Sequence, residues 1–580
     1  MRVSKNQTGM MIKKNQTSRF ISLLLLLALG LSSLAQASAQ GVGRERRVST
    51  PQPAATPQPT PQQTPKPTPT PKAIPTPTPQ STDSSVSTAV KPRVPALTTL
   101  EELRSGISNV LRSPELESAQ MAVKVASLDT GRTLFEENAA KLLHPASNMK
   151  IYTVSAALDK LGPDFRFKTS AYAPSRPDAG GTIHGDLIIY GRGDPSFATK
   201  FTEGDYYKAI DDFAARIAAA GVKRVEGNIV GDESYFTGPR LGYGWEWEDL
   251  QSYDGAEISA LTVNDNSLDV FVNPGADVGS QGVVTTGPPT PLVKIVNHVT
   301  TGPKGTRRNI TVIRPLGTNT LEVSGSIPLG LETKDGGRVG SFAIDNPALL
   351  FVYMLRSSLA AKGVNITGES RTIDAQGRNG QPLQTNSLVE IANVQSPPFS
   401  VIAAQTLKPS QNLYTELILR ALGKAVAPNG SGPERTTVDD GVDAVKAFLR
   451  EAGIEPRNQV VMADGSGLSR HDYITANGTM QLLIYMSKHR YASVFRDALP
   501  IGGVDGTLRT RLKGTSAANN LRAKTGTISG VASLSGYVTT AAGEHLVFSI
   551  ILNNYPEEAT SRRSFIDAIA VMLASFSGHS

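Results

Sequence analysis

Ser147 and Lys150 stand three residues apart in His144-Pro145-Ala146-Ser147-Asn148-Met149-Lys150. On a helix that spacing puts both side chains on one face, one turn apart. A serine hydroxyl is a weak nucleophile until a base takes its proton, and a lysine amine is that base only if its pKa is lowered. Burial and neighbouring positive charge both lower it. The helix N-terminus offers a positive dipole end and free N–H groups, which suit a developing oxyanion. Ile151, Val154, Ala157, Leu158 and Leu161 form an apolar stripe that would bury the helix and desolvate the amine. Taken alone, the pair is more simply read as a capping Ser with a solvated Lys.

Two further segments follow in order. Ser410-Gln411-Asn412 precedes a helix expected from Leu413. Ser and Asn there are either helix caps or site residues. In the second case Ser410 relays protons between Lys150 and a leaving group, and Asn412 donates to a substrate amide. Lys524-Thr525-Gly526-Thr527 lies on an expected strand. Lys524 with the Thr525 and Thr527 hydroxyls suits a terminal carboxylate, and Gly526 would let a substrate backbone pair along the strand. The backbone N–H groups of Ser147 and Thr527 are then the oxyanion hole. Otherwise the segment is an ordinary edge strand. The glycine-rich stretches 464–470 and 502–508 read as tight turns supporting the cleft, without phosphate-loop spacing.

These residues need elements to position them. Leu100 to Leu111 suits an amphipathic helix, and Met121 to Leu128 and Thr133 to Glu136 form a hairpin about Asp129-Thr130-Gly131. Helices are expected from Asn346 to Lys362, Leu413 to Gly423, Val438 to Gly453 and Ser561 to Phe576, with strands over 521–524, 532–539 and 545–553. A sheet built from both chain ends, beside a helical cluster, makes an α/β catalytic domain over 96–167 and 346–580. The long stretch between Lys150 and Ser410 implies an insertion. Its short alternating runs predict an inserted domain over 168–265 and 331–345, with a nested β domain over 266–330.

The chain has 580 residues, 39% hydrophobic and 19% charged, with a net charge of +7. That is ordinary for a soluble multidomain protein. No basic run interleaves with aromatics, so nucleic-acid binding is not expected. The absence of cysteine excludes disulfides, thiolate sites and a lipobox anchor. Seven scattered histidines show no metal spacing, so neither metal nor cofactor is expected. Residues 1–39 read as a secretory signal: basic residues, the apolar run Phe20 to Leu31, then Ala35-Gln36-Ala37-Ser38-Ala39. Export to the periplasm is expected. Uncleaved, the same segment would become a membrane anchor; otherwise membrane association would be peripheral. Residues 40–95, with Thr-Pro and Gln-Pro repeats, form a disordered, extended spacer.

The ordered set S-x-x-K, S-x-N and K-T-G resembles the signature of penicillin-binding proteins and serine β-lactamases. Together with Gly193-Asp194-Pro195-Ser196, Trp245-Glu246-Trp247-Glu248-Asp249, 463–469 and 530–536, the chain resembles the class C low-molecular-mass D-alanyl-D-alanine carboxypeptidase/endopeptidases, peptidase family S13. The resemblance implies a transpeptidase-like domain of helical cluster and antiparallel sheet. It implies Ser147 as acylated nucleophile, Lys150 as its base, and Ser410, Asn412 and Lys524 as their partners. Asp249 would bind the free amino group of a peptidoglycan stem peptide, and β-lactams would be covalent inhibitors. A serine β-lactamase is the alternative activity, and a non-catalytic wall-binding scaffold a third.

Overall fold

The computed structural model describes residues 97–331, 333, 335–432, 434–555 and 562–580. The expected leader (1–39) and Pro-rich spacer (40–95) lie outside the described residues, as does Ser561 at the start of the expected last helix. Among the described residues no helix is long and apolar enough to cross a membrane.

Helix α1 (Leu100–Leu111) starts at a capping box: the Thr99 hydroxyl accepts the Glu102 N–H, and the Glu102 carboxylate accepts the Thr99 N–H. Strands β1 (Gln120–Ser127) and β2 (Thr133–Glu137) pair as the expected hairpin. A 3-10 turn, Ala146–Asn148, carries Ser147 and leads into α2 (Met149–Leu161). The apolar stripe understates this helix, because every residue from Met149 to Leu158 is buried. It runs through the centre of the helical cluster, where burying Ile151, Val154 or Leu158 contributes about 1.5–3 kcal/mol each.

The insertion begins at β3 (Lys168–Ala173) and continues through β4 (Leu187–Tyr190), α3 (Lys208–Ala219) and β5 (Ile229–Asp232). Strands β6 (Ser267–Asn273) and β7 (Val283–Gly287) start the nested part. There β8 (Lys294–Gly302), β9 (Asn309–Ile313) and β10 (Thr320–Pro328) form a small sheet, with β10 in the middle. Strand β11 (Arg338–Ala343) pairs antiparallel with β6, and Val270, Val299 and Val323 share one core. The nested part therefore runs on through 343 rather than stopping at 330, because β6 needs β11 as its second partner.

The other expected boundary moves further. Helix α4 (Pro347–Ala361) packs on α3 through a core that includes Phe213 and Phe351. Strand β12 (Ser370–Ile373) lies parallel to β5, and β13 (Val389–Gln395) lies antiparallel to β3. They are the two edges of a five-stranded sheet ordered β12-β5-β4-β3-β13. Residues 347–395 thus complete the insertion, and the catalytic part resumes near 396 rather than 346. The apolar face of α4 is buried against the insertion's core, a choice that helical periodicity alone does not make.

The helical cluster then closes around α2 with α5 (Phe399–Leu407), α6 (Asn412–Val426), α7 (Thr437–Glu451), α8 (Ala476–Lys488) and α9 (Ala492–Ala498). Strands β14 (Arg522–Ile528), β15 (Val531–Thr539) and β16 (His545–Asn553) finish the main sheet in the order β14-β15-β16-β1-β2, antiparallel throughout. Alternate residues serve its two faces. Ala122, Val547 and Ile551 face the helical cluster, while Val123, Phe548 and Leu552 face α1 and α10 (Arg562–Ser575). Strand β14 is an edge, and the 3-10 turn bearing Ser147 abuts it.

Candidate active site

A cleft of about 730 Å³ opens where that turn, the edge strand β14, the start of α6 and a loop of the insertion meet. Ser147, Ser410, Asn412, Thr525, Thr527 and Asp249 all line it, and Lys150 and Lys524 are buried beneath.

Lys150 sits at the heart of the arrangement. Its Nζ lies 2.9 Å from Ser147 Oγ, 2.6 Å from Asn412 Oδ1 and 2.7 Å from the Ser466 carbonyl oxygen. A neutral amine has two N–H donors and one lone pair. Asn412 Oδ1 and the Ser466 carbonyl are fixed acceptors that take both donors, which leaves the lone pair for the Ser147 hydroxyl. Burial lowers the Lys150 pKa to about 8, opposed by the charges of Asp464, Glu416, Asp254 and Asp472 in falling order. Burial in turn lifts Glu416 to about 7 and Asp472 well above the carboxylate range. Of the charges favouring the Lys150 ammonium, that of Asp464 is the strongest.

Three glycines and a strained alanine let the pieces approach. Ala146 holds φ at +46°, in the left-handed region, immediately before the nucleophile. A Cβ on Gly467 would stand 1.8 Å from the Ala146 carbonyl oxygen, and Gly467 itself has φ +80°. A Cβ on Gly526 would stand 2.2 Å from Ser533 Oγ and 2.7 Å from the Pro145 carbonyl oxygen. Gly526 thus makes room for β15 and the nucleophile turn, a requirement beside the expected close approach of substrate. At Gly242 a Cβ would meet the Trp245 indole at 2.2 Å.

Ser410 also lies in the left-handed region, at φ +68°. Its hydroxyl accepts from Lys524 Nζ at 2.8 Å, and Lys524 donates as well to the Thr525 carbonyl at 2.7 Å. The cap of α6 is Gln411, whose side chain accepts the Leu413 N–H. Asn412 is engaged on both sides: Oδ1 by Lys150, and Nδ2 by the Asp254 carbonyl at 3.0 Å. Holding Lys150 uses the amide oxygen and holding Asp254 uses one N–H of Nδ2, so the second N–H stays compatible with the expected donation to a substrate amide. Burial, and then the charge of Lys150, keep Lys524 well below the ordinary lysine range. The Thr525 and Thr507 hydroxyls share a hydrogen bond of 2.7 Å, and the Thr527 hydroxyl donates to the Gly526 carbonyl at 2.8 Å.

The insertion contributes the opposite wall through Glu246, Glu248, Asp249, Tyr253 and Asp254. Asp249 accepts the Glu246 N–H at 3.1 Å, and burial raises its pKa. Arg470 donates to Glu246 at 2.9 Å and to the Ser529 carbonyl at 2.9 Å, tying that wall to the turn just after β14. Sequence reasoning took the 464–470 stretch for supporting turns and missed that Ser466 offers its carbonyl to the base. The signal was Asp464-Gly465-Ser466-Gly467, an Asx-type turn in which Asp464 accepts the N–H groups of Ser466, Gly467 and Ser469. Among the described residues no group of three or more His, Cys, Asp or Glu is arranged to hold a metal ion.

Residues 103–576 match the family described as D-Ala-D-Ala carboxypeptidase 3 (S13). A D-alanyl-D-alanine carboxypeptidase from Actinomadura sp. is 35% identical over 491 residues, spanning 83% of this chain and 86% of the relative. The D-alanyl-D-alanine carboxypeptidase DacB from Haemophilus influenzae is 26% identical over 450 residues, spanning 76% of this chain and 86% of its own. Among solved structures, penicillin binding protein 4 (dacB) from Haemophilus influenzae superposes with a TM-score of 0.66 at 24% identity, over 80% of this chain and 97% of that one. The same protein complexed with a β-lactam gives 0.61 at 22% identity, with the same coverage. The fold is that of the penicillin-binding proteins with extra domains inserted.

Proposed function

The chain belongs to the D-Ala-D-Ala carboxypeptidase 3 (S13) family, and from that premise we propose how this site performs the reaction. The protein is a serine D-Ala-D-Ala carboxypeptidase/endopeptidase acting on peptidoglycan. One observation carries the assignment of roles: the Lys150 amine is held by two fixed acceptors with Ser147 Oγ as its third neighbour, at 2.9 Å. Neutral Lys150 takes the Ser147 proton as Oγ attacks the carbonyl of the penultimate D-Ala. The backbone N–H groups of Ser147 and Thr527 stabilise the oxyanion. The C–N bond then breaks, and the proton passes from Lys150 through Ser410 to the leaving nitrogen. Water, deprotonated by Lys150, releases the acyl group by the reverse sequence.

Lys524, Thr525 and Thr527 receive the terminal carboxylate, and Asp249 receives the amino group of the stem peptide at the acidic wall. A β-lactam acylates Ser147 in place of the peptide. Phe20 to Leu31 and the small residues after it support export to the periplasm, with a membrane anchor where the leader is kept and peripheral association otherwise. N-terminal sequencing of the mature protein distinguishes the two states.

The test is incubation of the protein with a cross-linked muropeptide and with a D-Ala-D-Ala pentapeptide, followed by mass spectrometry with and without penicillin. Release of D-Ala, or monomers from the cross-linked substrate, blocked by penicillin, is the expected result. Sustained turnover of a chromogenic cephalosporin with both peptides untouched would instead mark a β-lactamase.

A further inference from the structure

Both acceptors that hold the Lys150 amine are themselves held by one loop of the insertion. Trp245 is absent from the cleft wall formed by its neighbours, and its Nε1–H donates to Asp464 Oδ2 at 2.8 Å. Gly242 permits that pose, since any Cβ there would strike the indole. Asp464 accepts the Gly467 N–H at 2.7 Å. That N–H belongs to the same planar peptide unit as the Ser466 carbonyl, which accepts from Lys150 Nζ on the other side. Fixing one end of the plane fixes the other. At the far end of the loop, the Asp254 carbonyl accepts Asn412 Nδ2, and Asn412 Oδ1 accepts from Lys150. Between these two anchors lie Glu246, Glu248 and Asp249, which face the cleft.

We propose that the insertion loop 242–254 is a clamp on the catalytic base, with Asp464 and Trp245 as positioning residues that set the direction of the Lys150 lone pair. The inference rests on Lys150 being the base for Ser147. It makes the chemical step, and not only substrate affinity, depend on a segment that contacts neither reacting atom. Ligand seated against the acidic wall then bears on the base through the peptide plane of Ser466 and through Asn412.

Trp245→Phe removes the indole N–H and keeps most of its bulk. Gly242→Ala leaves the N–H but displaces the ring. Each is expected to slow acylation of Ser147 by penicillin about tenfold and to lower kcat on the stem peptide alike, with KM within about twofold. The double variant should be no worse than either single one, because both break the same bond. Asp464→Asn adds a pH readout. Lys150 is faced by Asp464, by Glu416 of α6, by Asp254 of the loop, by Asp472 and by Lys524 of β14. Removing the strongest of these negative charges should move the acidic limb of the acylation rate to lower pH. Should Asp464→Asn fail to fold, Trp245→Phe and Gly242→Ala decide. Changes confined to KM, or additive losses in the double variant, would overturn the clamp. Penicillin acylation reads the base directly, so wild-type protein that acylates but leaves both peptides intact refutes the substrate and leaves this test standing.

Discussion

The site contains two lysines, both fully buried, and their surroundings are opposite. Lys150 lies among carboxylates: Asp464, Glu416, Asp254 and Asp472 all favour its charged form, and its pKa settles at about 8. The charge that acts on Lys524 is Lys150, so burial and repulsion both push it down. One lysine is poised to exchange a proton near neutral pH. In the other, burial and the neighbouring Lys150 charge both disfavour the ammonium while no anion is bound. The difference follows from where the carboxylates stand: those on α6, on the 464–472 segment and on the insertion loop act on Lys150, and none of them acts comparably on Lys524. A base must gain and lose a proton during each turnover, whereas a carboxylate-binding residue gains most from its anion where an unpaired buried ammonium is costly.

The comparison breaks first at Lys150. Lys150→Ala takes the base away and leaves Ser147 Oγ with its proton, so acylation by penicillin is expected to fall about 10²–10⁴-fold. Near-normal acylation in stopped-flow labelling would mean that Lys524, not Lys150, is the base. Lys524→Ala is expected to act on a different quantity. It should raise KM for D-Ala-D-Ala peptides by about 10- to 100-fold, as befits a lost charge-assisted contact, and spare peptides amidated at the C-terminus. Equal losses on the free and amidated peptides would erase the distinction between the two lysines.

The pH dependence sharpens it. The working form of Lys150 is the neutral amine, which grows about tenfold per pH unit up to its pKa and then saturates. Acylation should therefore rise from pH 6 to about 8 and level off above. A half-maximal rate well below pH 7 would show that the carboxylates do not sustain the charge on Lys150.

The chemistry was legible in the sequence because its residues come in short local groups. Ser147 with Lys150, Ser410 with Asn412, and Lys524 with Thr525 each lie within a single turn or strand, and their order along the chain joined them. What escaped were interactions spanning long separations, such as Trp245 with Asp464 or Asp254 with Asn412, where neither partner carries a local mark of the other. The insertion's far boundary escaped for a related reason. Helix α4 has an apolar face that fits either core, and only the pairing of β12 with β5 and β13 with β3 assigns it. Gly526 was recognised as a position of close approach, but its crowding by β15 and the nucleophile turn was not. Periodicity tells that a face is buried and is silent on what covers it.

The smallest effect is expected at the end of the cleft opposite Lys524. Asp249 stands with Glu246 and Glu248 on the insertion's wall, a cluster suited to a cation as Lys524 is suited to an anion. Burial raises the Asp249 pKa against the lowering by the Glu246 N–H, so the carboxylate gains when an ammonium binds beside it. Asp249→Asn is expected to raise KM for stem peptides bearing a free amino group by about tenfold, the scale of one partly exposed charge pair, and to change penicillin acylation less. The carboxylates acting most strongly on Lys150 are Asp464, Glu416, Asp254 and Asp472 and not Asp249, so the acidic limb of the acylation profile should stay in place. A limb that moves with Asp249→Asn would show that the two ends of the cleft share one electrostatic field, and the contrast between the lysines would then belong to the whole wall rather than to their immediate neighbours.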